Sequence, residues 1–297
     1  MDKRLIKQLI QQNISEDGIV ETGIKGVKLF RVTEPIRCAP AVYEPSIVAI
    51  VSGAKEAILD GKQHVYDSSQ YMCCAISMPV EAGSPAASLD NPLLGVYIAL
   101  DTRVMTELVI EIESSGLDIR KPKGGRIPQG VTLADWDDPF NEALLRLIQI
   151  SNSPAEAALL GDGRLRELYY TVLKGAAGES VSRAFGVGNE IARSIAYLSS
   201  RLDQKVSIEE VASQVGMSRA VFHRKFKQAT TMSPVQFVKC MRLNSAAIKI
   251  AAGMTVNQAA MEVGYVSSTQ FSREFRRLYG LPPKQWGRFE QSGTGLM

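Results

Sequence analysis

The chain has 297 residues, 45% of them apolar, and a formal net charge of +3, a profile of one or two folded domains with a buried core. No stretch approaches the ~18–20 continuous apolar residues that span a bilayer. The N-terminal MDKRLIKQLI is amphipathic and lacks a signal-type apolar core, so a cytoplasmic protein with no membrane partner is expected. The charge is uneven: residues 189–290 hold 15 Lys/Arg against 7 Asp/Glu, whereas residues 1–188 hold 19 against 24. A basic C-terminal part joined to a mildly acidic N-terminal part is the electrostatic layout of a nucleic-acid-binding module attached to a sensor.

Residues 3–14 read as a short helix with Leu5, Ile6, Leu9 and Ile10 on one side. From Gly18 to Leu100, short apolar runs such as Ser46 to Val51 and Leu94 to Leu100 are punctuated by Gly and Pro, which predicts five to eight strands. Asp60-Gly61 predicts a tight hairpin. Strands without intervening helices imply a barrel or sandwich. After Asp101 the pattern turns helical, over about 102–114, 138–151 and 155–174, with residues 119–131 irregular. Leu165, Leu168, Tyr169 and Val172 recur at three-to-four spacing and serve either a homodimer interface or the domain's own core. Residues 175–188 are rich in glycine and small side chains. They place a linker at 179–188 between an N-terminal domain, 1–178, and a C-terminal domain, 189–290.

The C-terminal domain contains one device twice. Residues 207–226 read SIEEVASQVGMSRAVFHRKF and residues 255–275 read TVNQAAMEVGYVSSTQFSREF. Ala212, Val215 and Gly216 recur 48 residues on as Ala260, Val263 and Gly264. Phe222, Arg224 and Phe226 recur 49 residues on as Phe271, Arg273 and Phe275, so the inserted residue lies in the turn after the glycine. Each copy has the marks of a helix-turn-helix. Ser207 and Thr255 cap a first helix, with Glu210 and Gln258 placed to complete capping boxes. The glycines suit a positive-φ helix exit. Ser218 and Ser267 cap a second helix whose paired phenylalanines form its core face. Between the copies, Ser233, Pro234 and Gly253 bound a connecting helix of roughly 28 Å at ~1.5 Å per residue. That rod can hold two reading heads about one DNA turn, ~34 Å, apart.

The stretch GYVSSTQFSREFRRLYGLPP from Gly264 resembles the signature of AraC/XylS-type transcription regulators. The first copy with MSPVQF and the segment NEIARSIAYL from Asn189 fit the same seven-helix domain. VYEPSIVAIVSGAK and the stretch around Tyr66 to Pro79 are similar to the effector domain of one branch of that family. The resemblance implies an α+β protein: a cupin-like jelly-roll barrel (18–100) with flanking helices (102–174), then an all-α double helix-turn-helix. It implies promoter DNA, a small-molecule effector and RNA polymerase as partners, and an activator more than a repressor. It places base-facing positions at Ser218, Arg219, Ala220, His223 and Arg224, and at Ser268, Thr269, Ser272 and Arg273. Lys227, Arg242, Arg276, Arg277 and Lys284 are the candidate phosphate contacts. One departure is Thr231, where the family commonly has glycine, so that turn is expected to be tight or strained.

For the effector, the basic series Lys25, Lys28, Arg31 and Arg37 offers a grip on a carboxylate, phosphate or cyclic dinucleotide, against the plainer reading of solvated surface charge. Arg120, Lys121, Lys123 and Arg126 read as a solvated loop. Cys38, Cys73, Cys74 and Cys240 show no C-x-x-C spacing. One of Cys73 and Cys74 should face the barrel interior and would there suit an electrophile sensor, or both are simply buried core. His64 and His223 fall in different domains, so neither a metal site nor a cofactor is expected, and His64 reads as a surface or hairpin residue. No GxSxG, HExxH or phosphate-cradling loop is present. A cupin-type isomerase or hydrolase fused to DNA-binding helices is therefore the competing class, and no enzyme is expected. A third class, a chromosome-coating protein, fits poorly with two different recognition faces.

Overall fold

A computed structural model describes residues 3–115, 130–186 and 189–292; the basic cluster at 120–126 lies outside them. The N-terminal region is built from two antiparallel sheets. The larger holds β1 (Gly18–Glu21), β2 (Val27–Val32), β9 (Leu93–Ala99), β4 (Ser46–Ser52), β7 (Gln70–Cys74) and β10 (Val131–Asp135), in that order. The smaller holds β3 (Ile36–Tyr43), β8 (Met78–Ser84), β5 (Ala54–Leu59) and β6 (Lys62–Asp67). From β2 to β9 successive strands cross between the sheets, except at the β5–β6 hairpin, which is the winding of a jelly roll. In that hairpin Asp60 and Gly61 have φ of 49° and 74°, the left-handed pair a two-residue turn requires. The strand β10 falls at the end of a segment that reads as irregular, because Val131 to Asp135 is short and its pairing partner β7 is some 60 residues away in sequence.

Strand alternation sorts the larger sheet's side chains. Tyr71 stacks on Phe140 of α3 (Asp138–Gln149) with centroids 4.0 Å apart, so its face is the helix-covered one. Cys73, two residues on, shares that face. Cys74 takes the other, and its thiol donates to the Ile76 carbonyl at 3.0 Å. Ile6 and Ile10 of α1 (Lys3–Asn13) are buried, whereas Leu5, expected beside them, is exposed. In α4 (Pro154–Lys174) Leu165, Leu168, Tyr169 and Val172 are all buried, and the Tyr169 hydroxyl donates to the Ala99 carbonyl at 2.6 Å. That stripe is intradomain core and leaves nothing for a partner copy.

Residues 179–185, read as linker, belong to a helix, α5 (Gly178–Phe185). Val181 and Phe185 are buried against α4 and α2 (Thr102–Ser114). Small residues here permit close helix packing, and their abundance misleads as a linker signal. The C-terminal region follows as α6 (Glu190–Ser199), α7 (Ile208–Gln214), α8 (Arg219–Thr230), α9 (Pro234–Ala251), α10 (Val256–Glu262), α11 (Ser268–Tyr279) and α12 (Pro283–Ser292). The connecting helix α9 packs on β3 and β8. There the Asn244 amide, 4% exposed, donates to the carbonyls of Ala41 (2.7 Å) and Val80 (3.0 Å) and accepts from the Tyr279 hydroxyl. No described helix is long and apolar enough to cross a membrane.

Candidate nucleic-acid interface

Both helix-turn-helix units are built by the same local chemistry. The Ser207 and Thr255 side chains accept from the backbone N–H three residues on, at 3.3 Å in each case, and Ser218 and Ser267 do so for the second helices. The reciprocal capping box, expected at Ser207 and Thr255, is completed instead at Ser233 with Gln236, at the head of α9. Gly216 and Gly264 have φ of 66° and 82°. Phe222 and Phe226 lie 5.4 Å apart at 54°, and Phe271 and Phe275 repeat both values, with all four rings fully buried. Two cores with the same internal geometry make the sequence repeat a structural one.

Burying those rings turns the opposite faces outward. On α8 and its cap, Ser218, Arg219, Ala220, Arg224 and Lys227 are exposed and His223 is half-buried. On α11, Ser268, Thr269, Arg273, Arg276 and Arg277 are exposed and Ser272 half-buried. Ser272, Arg273, Arg276, Arg277 and Pro282 line one shallow groove, with Lys284 exposed on α12. Arg219 is engaged by Glu209 at 2.9 Å, whereas Arg224 and Arg273 have no ion-pair partner among the described residues. The sequence position of Arg242 suggests a free surface cation, but it is half-buried and donates to the Gln204 carbonyl at 2.7 Å. His223 likewise has its Nε2 buried without a hydrogen-bond partner among the described residues.

The second unit is locked to the connecting helix by a chain of charge and hydroxyl. Lys239 of α9 pairs with Glu274 of α11 at 3.0 Å, and Glu274 accepts from the buried Tyr265 at 2.8 Å. These contacts hold the Glu274 carboxyl below its ordinary range against the opposing effect of burial. Tyr265 takes the place that Met217 holds in the first unit, each donating its backbone N–H to the alanine of its own unit (Ala260, Ala212) at 2.9 Å, so the inserted residue is the exposed Val266.

The effector-side candidates do not converge. Lys25 is exposed, Lys28 pairs with Glu21 at 2.7 Å, Arg31 with Asp17 at 3.4 Å, and Arg37 stacks over Trp286 at 5.1 Å. Burial raises the Cys74 thiol well above its ordinary range and pushes Cys73 up to about 12. Neither presents the thiolate an electrophile sensor needs, and Cys73 faces the helices. Lys55 carries no site signal in the sequence, because a lone lysine in a strand reads as surface. Lys55 reaches from β5 across to the opposite sheet, 5.7 Å from the Phe30 ring and 5.8 Å from the Tyr43 ring. Desolvation brings its ammonium down to about 8. Its cross-strand pairing with the buried Tyr66 is the signal that identifies it as interior.

A jelly roll followed by two exposed-arginine helix-turn-helix units defines a ligand-domain-plus-DNA-reader class of protein. The model of the AraC-type transcriptional regulator N-terminus matches residues 23–180 and that of a helix-turn-helix domain matches 211–288. The chain belongs to the AraC-type family of transcriptional regulators. It is 33% identical over 94 residues to the probable transcriptional regulator LumQ of Photobacterium leiognathi, a match spanning 31% of this chain and 38% of LumQ. It is 31% identical over 93 residues to the regulatory protein SoxS of Escherichia coli K12, spanning 31% of this chain and 87% of SoxS. The match to an uncharacterized HTH-type regulator of Haemophilus influenzae spans 27% of each chain, so for LumQ and this protein well under two thirds of the relative's length is covered. Among solved structures, ToxT of Vibrio cholerae O395 shares the fold across 90% of this chain and 98% of its own, with a TM-score of 0.54 at 14% identity.

Proposed function

We propose that this chain is a sequence-specific, promoter-binding transcription activator in which a small molecule held by the barrel controls DNA reading by α8 and α11. Arg224 and Arg273 carry the reading: they are equivalent residues of two matched units, both exposed and both without an ion-pair partner among the described residues. Such arginines suit bidentate contact with guanine in successive major-groove segments. Ser218, Arg219, Ala220, His223, Ser268, Thr269 and Ser272 complete the two faces, with Ala220 limited to apolar contact with a thymine methyl. Lys227, Arg276, Arg277 and Lys284 are placed for phosphate, and RNA polymerase is the partner an activator requires. Structures of ToxT carry an unsaturated fatty acid in one case and an aryl-butenoic acid in another, which supports reading the shared fold as one that accepts small molecules. An isomerase or hydrolase barrel is less supported, because the family models that match are those of a transcriptional regulator N-terminus and a helix-turn-helix domain.

Selection from a randomised DNA library at fixed salt tests the proposal. The expected product is a motif of two short elements about one helical turn apart. Arg224→Ala and Arg273→Ala should each relax one element only, at about 1–3 kcal/mol in discrimination. Binding without any motif, collapsing as salt rises, would reduce the protein to phosphate attraction.

A further inference from the structure

The barrel interior contains polar groups that the fold does not use. Lys55 and Tyr66 are directly opposed in the β5–β6 ladder and share a face, and Tyr66 is 2% exposed. Lys55 therefore points between the sheets, which its approach to Phe30 on the larger sheet confirms. Its Nζ has no carboxylate and no hydrogen-bond acceptor among the described residues. Two residues from Tyr66 on the same strand face, His64 has a buried Nε2 that is also unpartnered. The Tyr43 and Tyr66 hydroxyls meet at 3.3 Å; only one can donate to the other, so one hydroxyl hydrogen is left over. The Phe30 ring covers Gly95, where an added Cβ would come within 2.4 Å of its Cζ.

A purely structural core would place a methionine or leucine where Lys55 stands. Ring faces offset part of the ammonium's desolvation, but a cation taken from water without an opposing charge remains a net cost. Lys55, Phe30 and Tyr43 are also each only partly buried, so solvent reaches the groups that line this space. We propose that this space is the effector site and takes a ligand with a carboxylate head on an apolar or aromatic body. Lys55 is the counter-ion, the Tyr43–Tyr66 pair and His64 supply hydrogen bonds, and the rings of Phe30 and Tyr43 form the walls. This deepens, and rests on, the reading of the protein as a ligand-switched regulator, and it locates the anion away from Lys25, Lys28, Arg31 and Arg37. With its proton affinity already lowered to about 8, Lys55 is mostly ammonium at pH 7 and loses that charge just above.

Calorimetric titration of the full chain with 3-phenylpropanoate, 5-phenylpentanoate and decanoate, each beside its primary amide, tests the site. The expected result is one site per chain for at least one acid, bound tenfold or more tighter than its amide. Lys55→Met should abolish that preference, and wild-type affinity for the acid should fall as pH rises through 8. The proposal is overturned if none of the three acids binds, if acid and amide bind equally, or if Lys55→Met keeps the preference. Should Lys55→Met not fold, the wild-type pH profile and Tyr66→Phe decide: an affinity flat from pH 6 to 9, and unmoved by Tyr66→Phe, sinks the site. DNA selection on the same wild-type protein separates the two failures. A recovered motif without acid preference removes this site and leaves the regulator; no motif with any of the acids removes the regulator reading itself.

Discussion

Thr231 ends α8 with a φ of 65°, and its counterpart Gly280 ends α11 at 74°. A β-branched residue in this left-handed conformation is strained where glycine is not, so Thr231→Gly should raise unfolding stability by roughly 0.5–1.5 kcal/mol in a denaturant titration. The turn glycines differ in the opposite way. A Cβ at Gly216 meets nothing within 4 Å, whereas at Gly264 it would come within 2.7 Å of the Leu202 carbonyl oxygen. Both pay for positive φ, but Gly264→Ala should be the more destabilising by at least ~1 kcal/mol, again read by denaturant. Lys55 adds a pH signature. Its folded value of about 8 lies below the ordinary 10.5, so between those values the unfolded chain binds more protons and stability rises with pH. The cost is fully present below pH 8. Lys55→Met should therefore raise the melting temperature by a few degrees at pH 7, with the gain shrinking as pH climbs from 8 toward 10.5.

At the scale of elements, the two recognition helices are held by different means. α11 is tied to α9 through Lys239, Glu274 and Tyr265, whereas α8 packs mainly through Phe222 and Phe226 against Phe237. Because Glu274 titrates below its ordinary range, the tie is intact at neutral pH and is lost only as pH falls through that lowered value. Glu274→Gln should loosen the second unit selectively, seen as faster amide exchange in α11 than in α8. The repeat itself was legible in the sequence, down to the residue inserted after the glycine, because capping, positive φ and aromatic spacing are local requirements. The α5 helix was not, since its small residues gain helix stability only from packing on α2 and α4.

For the whole molecule, Asn244 joins the DNA-reading region to the barrel. Its amide satisfies two strand carbonyls and its oxygen satisfies Tyr279. Asn244→Leu removes all three hydrogen bonds and takes the Tyr279 hydroxyl's acceptor away, which should cost about 1–3 kcal/mol and separate one thermal transition into two by calorimetry. Since α9 carries one reading unit at each end, a barrel that shifts under it would move both together.

Short-range chemistry specified the doubled helix-turn-helix, its caps, the basic and acidic halves, the Asp60-Gly61 hairpin and the strand-rich N-terminal region, and all of these are readable along the chain. Which polar groups meet is set by the folded arrangement. It turned Cys74 inward and Cys73 outward, tied Lys28 and Arg31 to nearby acids, and spent the α4 stripe on the core. It also brought Lys55 between Phe30 and Tyr43. Such outcomes depend on strand register and on which face each sheet covers, and these are set by contacts tens to hundreds of residues apart, where local pattern carries no information.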